Sequence, residues 1–171
     1  MGPTEQLNLK EIMELLHKGW MTHDAMWFYH CLQEFGIAKA NQLNKAAIKS
    51  LAPMEMKRIK QALGMEKIET FEEFRLLLSG ACGLLVADFM NATMSFPVKN
   101  ILHWEFKPQK CFAYKGMQNL GVIDEYECGV IYRIECWIDS LEIKYSVNPQ
   151  IRKCLMRVQG NCSGDFCLDL P

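Results

Sequence analysis

The stretch Asn100–Pro108, NILHWEFKP, decides the fold. Leu102, Trp104 and Phe106 fall on one side of it and His103 and Glu105 on the other. That alternation, closed by Pro108, is the pattern of a strand with one buried face. The residues before it follow a different period. From Leu7 to Trp20 apolar residues recur three and four apart, the stripe of an amphipathic helix. Asp24 is placed to cap a second helix that runs to a stop at Gly36, and a third fits Ile37 to Leu51. Pro53 stands where a first-turn proline belongs, opening a fourth helix that ends at Gly64. Thr70 and Glu73 form a capping box ahead of a longer helix, Phe71 to Asn91.

After Pro108 the helical period returns. Gln109 to Leu120 ends at Gly121, and Glu125 to Ile143 carries a stripe through Cys128, Ile131, Tyr132, Glu135 and Ile138. Ile151 to Gln159 alternates, and the Gly160 to Gly164 turn leads into Phe166 to Leu170, which predicts a terminal hairpin. The fold expected is therefore α+β: an N-terminal helical array packed on a small antiparallel sheet, with two further helices and a C-terminal hairpin. One domain over 1–171 is expected, with a helical half, 1–92, and a mixed, cysteine-rich half, 93–171.

Composition narrows the function classes. Half of the 171 residues are hydrophobic, and the formal net charge of -1 lacks the basic field of a phosphate-backbone binder, so nucleic acid is not an expected partner. Met1 to Lys10 lacks the basic and apolar regions of an export signal, and no apolar run is long enough to span a bilayer. A cytosolic location and no membrane partner are expected. The eight cysteines are then read as reduced thiols, available for packing, metal or chemistry.

Six of those cysteines lie from Cys111 onward. Thiolates are soft, charged ligands suited to zinc or another thiophilic metal, although no closely spaced cysteine pair is present. A metal set drawn from separate segments is expected at Cys128, Glu135, Cys154 and Cys167, and core packing of the sulfurs is the competing reading. His23 and Trp27 on the second helix, His103 on the strand and Arg157 near the end are candidate ligand-binding residues. For these, helix capping, core packing and surface solubility are the ordinary alternatives. Eleven methionines and four tryptophans suit an adaptable apolar interior, which fits a ligand cavity but fits an ordinary core better.

The element His23-Asp24-Ala25-Met26-Trp27-Phe28, followed by Phe35-Gly36 and Ala62-Leu63-Gly64, resembles a family of uncharacterised bacterial and archaeal cytosolic proteins with no assigned activity. Cys111, Gly121, Cys128 and Asn148-Pro149 extend that likeness into the second half. Arg157, Gly160 or Gly164, and Cys167 are similar to the end of the L-2-amino-thiazoline-4-carboxylic acid hydrolase family and of bacteriochlorophyll vinyl-reductase-like domains. The latter resemblance implies a cavity between helices and sheet, closed by the C-terminal hairpin, with cysteines at its edge. The leading expectation is binding of a metal ion or small organic ligand through the cysteine-rich half, with a homo-oligomer compatible with the chain. The competing one is hydrolysis of a cyclic amidine or thiazoline C–N bond by a cysteine nucleophile with a histidine base.

Overall fold

A computed structural model describes residues 6–171. The first five residues of the stretch read as lacking an export signal lie outside it. Helix α1, Leu9–Ala62, opens on a capping box in which the Asn8 side chain accepts from the Glu11 amide and the Glu11 carboxylate accepts from the Asn8 amide. The four short helices predicted before Gly64 are one helical run, interrupted only at Gly36, where φ is 76° and ψ 170°. Only glycine takes that backbone readily, so the break falls there. Gly19 and Pro53 do not end the helix. Past the kink, Ala40, Asn41, Ala52, Met56 and Ile59 are buried, and α1 against α4 is the main helix–helix interface. The proline leaves the Lys49 carbonyl without its helical donor, but Lys49 is exposed and water can take its place.

Helix α2, Phe71–Leu85, starts at the expected Thr70–Glu73 box and buries Phe71, Phe74, Leu77, Leu78 and Ala81. It ends at Leu85, short of Asn91, and a 3-10 turn, Asp88–Met90, leads to the sheet. There follow β1, Ala92–Ser95; β2, Ile101–Phe106; α3, Phe112–Asn119; α4, Gly129–Ser140; β3, Tyr145–Asn148; α5, Leu155–Gln159; and β4, Cys162–Leu168. The four strands are antiparallel in the order β1-β2-β4-β3. The fold is α+β. Strands β3 and β4 form the C-terminal hairpin, with α5 in their connection. Its first arm is therefore Tyr145–Asn148, and not Ile151 to Gln159: there Cys154, Leu155 and Met156 are buried in succession, which a strand with one buried face does not allow.

On β2, Leu102, Trp104 and Phe106 are buried as the alternation predicts. Trp104 stands opposite Gly164 and packs on Phe166 with ring centroids 5.0 Å apart. A Cβ on Gly164 would lie 2.5 Å from the Trp104 ring and from the Asn148 carbonyl, so the indole fills the space a side chain would need. Each such large buried apolar group contributes about 1.5–3 kcal/mol relative to exposure. No helix among the described residues is long and apolar enough to cross a membrane.

Candidate functional site

Between α1, α3, α4 and the β1–β2 edge of the sheet lies a cavity of about 210 Å³. Its walls are mostly apolar, with Phe28 and Ile48 from α1, Met94 from β1, Phe106 from β2, Met117 from α3 and Ile134 from α4. Trp20 and Phe112, each 38% exposed, flank the mouth. Asp24, Asn44, Tyr126 and Arg133 supply polar groups. Asp24 and Phe28 are one helical turn apart, as are Arg133 and Trp137, so each helix presents one polar and one aromatic residue to the same space.

Arg133 fixes the geometry. Its Nε donates to Glu55 at 3.0 Å and its Nη2 to the other carboxylate oxygen, while Trp137 Nε1 donates to Glu55 at 2.8 Å. The guanidinium also lies 5.0 Å from the Trp20 ring centroid and 5.5 Å from that of Trp137. Trp20 precedes the Gly36 kink and Glu55 follows it, so this clamp ties both segments of α1 to α4. Such a fork-to-carboxylate pair, little exposed, holds position as well as charge. The buried Asn41 acts similarly, donating to the Glu125 carbonyl at 2.9 Å and accepting from the Glu127 amide, which pins the loop that enters α4.

Burial raises the Asp24 carboxyl above the usual aspartate range, with Arg133 and His23 opposing. No hydrogen bond contributes to that balance. Tyr126 lies at the inner end, 4% exposed and edge-on to Phe28, its oxygen accepting from the Gly129 amide at 3.1 Å. Burial pushes its phenol far above its ordinary value.

Behind Tyr126 a second, enclosed space of about 10 Å³, close to what a single water needs, is lined by Cys111, Cys128, Cys154 and Cys162. The sulfurs come from four segments. Cys111, Cys128 and Cys154 immediately precede α3, α4 and α5, and Cys162 opens β4. All eight cysteines are free. Burial pushes the Cys128 and Cys162 thiols up to about 12 and raises Cys111, and the neighbouring sulfurs push the same way. Backbone amides at the starts of α3 and α4 oppose the rise at Cys111 and Cys128. The Trp104 Nε1 group, in a residue 1% exposed, has no hydrogen-bond partner as the thiols stand, yet it would favour a thiolate at Cys162. Among the described residues, no group of three or more His, Cys, Asp or Glu side chains is set to hold a metal ion.

Of the metal set expected from the sequence, Cys128 and Cys154 meet at this space. Cys167 points to the exposed face of β4 because it has the opposite strand parity from Cys162. Glu135 lies on α4 outside the cluster, its carboxyl raised first by burial and then by Asp139. His23 and Trp27 are exposed on α1, one residue before and three after the cavity-lining Asp24. His103 Nδ1 pairs with Asp165 at 2.7 Å across β2 and β4, and Arg157 grips Asp124 with two nitrogens. None of those four lines either space, and no histidine does. Sequence reasoning passed over Asn44 and Tyr126, read Asp24 as a helix cap or a proton partner of His23 and Arg133 as a surface cation or a carboxylate clamp, and counted Cys111 and Cys162 among the late cysteines but left them out of the metal set. The available signal was the i, i+4 pairing of a charged and an aromatic residue at Asp24/Phe28 and again at Arg133/Trp137.

The fold and the site thus define a helix-roofed antiparallel sheet with an apolar cavity and an adjoining thiol cluster. Residues 4–80 match a family model described as "Family of unknown function (DUF6125)". Neither a curated protein nor a solved structure matches the chain.

Proposed function

We propose that this protein binds a small, largely apolar organic molecule in the cavity between α1 and α4. The observation that carries the reading is the volume of about 210 Å³ behind an open mouth, walled by apolar side chains with a few convergent polar groups. A dry apolar cavity of about 150 Å³ already holds benzene. The test uses indole and naphthalene as probes, read by thermal shift and by the fluorescence of Trp20 and Trp137. Gly116 lines the cavity and an added Cβ there meets nothing within 4 Å, so Gly116→Phe is the variant chosen to obstruct the space. Stabilisation of the parent by the probes, and its loss in a stably folded Gly116→Phe, is the expected result. No response of the parent to either probe would sink the reading.

The second reading is a soft metal ion such as zinc on Cys111, Cys128, Cys154 and Cys162. It is favoured by four thiols from separate segments sharing one space, with the orphaned Trp104 donor beside Cys162. Binding would have to displace the thiol protons and draw the sulfurs together, so its affinity would rise with pH. Protein prepared without a histidine tag should then carry about one equivalent of zinc, lost in Cys111→Ser with Cys154→Ser. Metal-free protein with melting unchanged by added zinc removes this reading. The histidine base that a cysteine hydrolase needs is found at neither space.

A further inference from the structure

We infer that the molecule taken by the α1–α4 cavity carries a protonated amine on its apolar body, and that Asp24 at the mouth receives the ammonium. The inference rests on the small-molecule reading above and specifies the chemistry of the ligand's head. It follows from how the charges at the mouth are committed. Arg133 is the cation there, but Glu55 occupies its Nε and Nη2 while the rings of Trp20 and Trp137 lie against the guanidinium. It is the centre of the structural clamp, its charge balanced by Glu55 although its Nη1 hydrogens stay free. Asp24 carries the other charge. It has no ion pair and receives no hydrogen bond among the described residues, and it is an exposed residue on the cavity wall. Asp24 and Arg133 are the charged residues on the cavity wall, and because Glu55 behind the wall already balances Arg133, the three together sum to -1 and leave the Asp24 charge as the one uncompensated.

The layout supplies the orientation as well. Trp20 sits one turn before Asp24 on α1, giving an ammonium an aromatic neighbour beside its carboxylate partner. Beyond them the walls are mostly apolar, with Asn44, Tyr126 and Arg133 as the other polar residues and room for one ring and a short linker. An ammonium between Asp24 and Trp20 would exchange water for a charge-assisted hydrogen bond beside an aromatic ring.

The test is calorimetric titration of the full chain with three near-isosteres: 2-phenylethylamine, 2-phenylethanol and 3-phenylpropionate. The amine is expected to bind about tenfold or more tightly than the alcohol, the scale of a hydrogen bond to a charged group, and the carboxylate weakest. In Asp24→Asn the preference for the amine disappears while alcohol binding is retained, and Gly116→Phe blocks both. Equal binding of amine and alcohol, tightest binding of the carboxylate, or an amine preference that survives Asp24→Asn overturns the inference and leaves the cavity reading in place. If none of the three binds and indole and naphthalene also fail, the cavity reading falls and this inference with it.

Discussion

The cavity beneath Trp20 and the space ringed by sulfur share Phe106, Ala113, Tyr126 and Val130 as a common wall, yet they are assembled in different ways. The larger one needs both halves of the chain, because α1 roofs what α3, α4 and the sheet provide beneath it. The sulfur-lined one is built wholly from Phe106 to Cys162. Room for a ligand is thus a property of how the helical half docks, whereas the thiol cluster is a property of the mixed half alone. Changes at the shared wall should damage both, and changes at the docking clamp should damage only the first.

Tyr126→Ala provides the most severe test. The ring is the partition, fully packed and edge-on to Phe28, so its removal joins the two spaces into one larger void. A loss of about 3–5 kcal/mol is expected from urea unfolding, the range for deleting a buried aromatic. The thiols should also become reactive. In the parent, a cysteine pushed from the ordinary value of 9.0 up to about 12 holds about a thousandfold less thiolate at neutral pH, so Cys128 and Cys162 should alkylate slowly. If Tyr126→Ala costs under about 1 kcal/mol and leaves that protection intact, the shared wall is not what separates the spaces.

Glu55→Gln comes next in size. It leaves the Arg133 guanidinium little exposed and short of its counter-charge, at the lower end of the roughly 3–5 kcal/mol seen when a buried pair is broken, because both groups keep some contact with water. The probes for the larger cavity should bind more weakly, while alkylation of Cys128 and Cys162 stays slow. Loss of thiol protection in this variant would contradict the division of labour between the halves.

That division also explains what could be read in advance. The strand at Ile101–Phe106 and the capping box of α2 are local features, in which the residues that make the pattern also make the structure. The continuity of α1 is not local. Pro53 reads as a helix start by its own chemistry, and only burial of Ala52, Met56 and Ile59 in the interior keeps the helix intact across it. The site divides in the same way. Clustered late cysteines drew attention to the mixed half, where Cys128 and Cys154 do meet, but strand parity sends Cys167 outward and brings in Cys162. Asp24 looked like a cap because of its neighbours. Its place on a cavity wall shared with Arg133, more than a hundred residues away in sequence, leaves no local trace.

The smallest effect belongs to Asp24 itself and concerns the sign of a pH dependence. Burial raises its folded-state pKa above the ordinary 3.8, so folding favours the protonated carboxyl. The stability it contributes is complete below the unfolded value and is lost as pH rises through the folded value. Asp24→Asn keeps the neutral shape at every pH. It should melt slightly higher than the parent near pH 7, with the gap closing as pH falls through the carboxylate range. Glu73 shifts the other way, its carboxylate held low by the Glu69 and Thr70 amides of the α2 cap, so its contribution is lost toward acid in parent and variant alike. Subtracting the two melting curves therefore isolates Asp24. A saturating amine ligand should remove the neutral-pH gap or invert it, because only the parent then has a charge to pair, and a gap unchanged by the amine would show that Asp24 does not face the ligand.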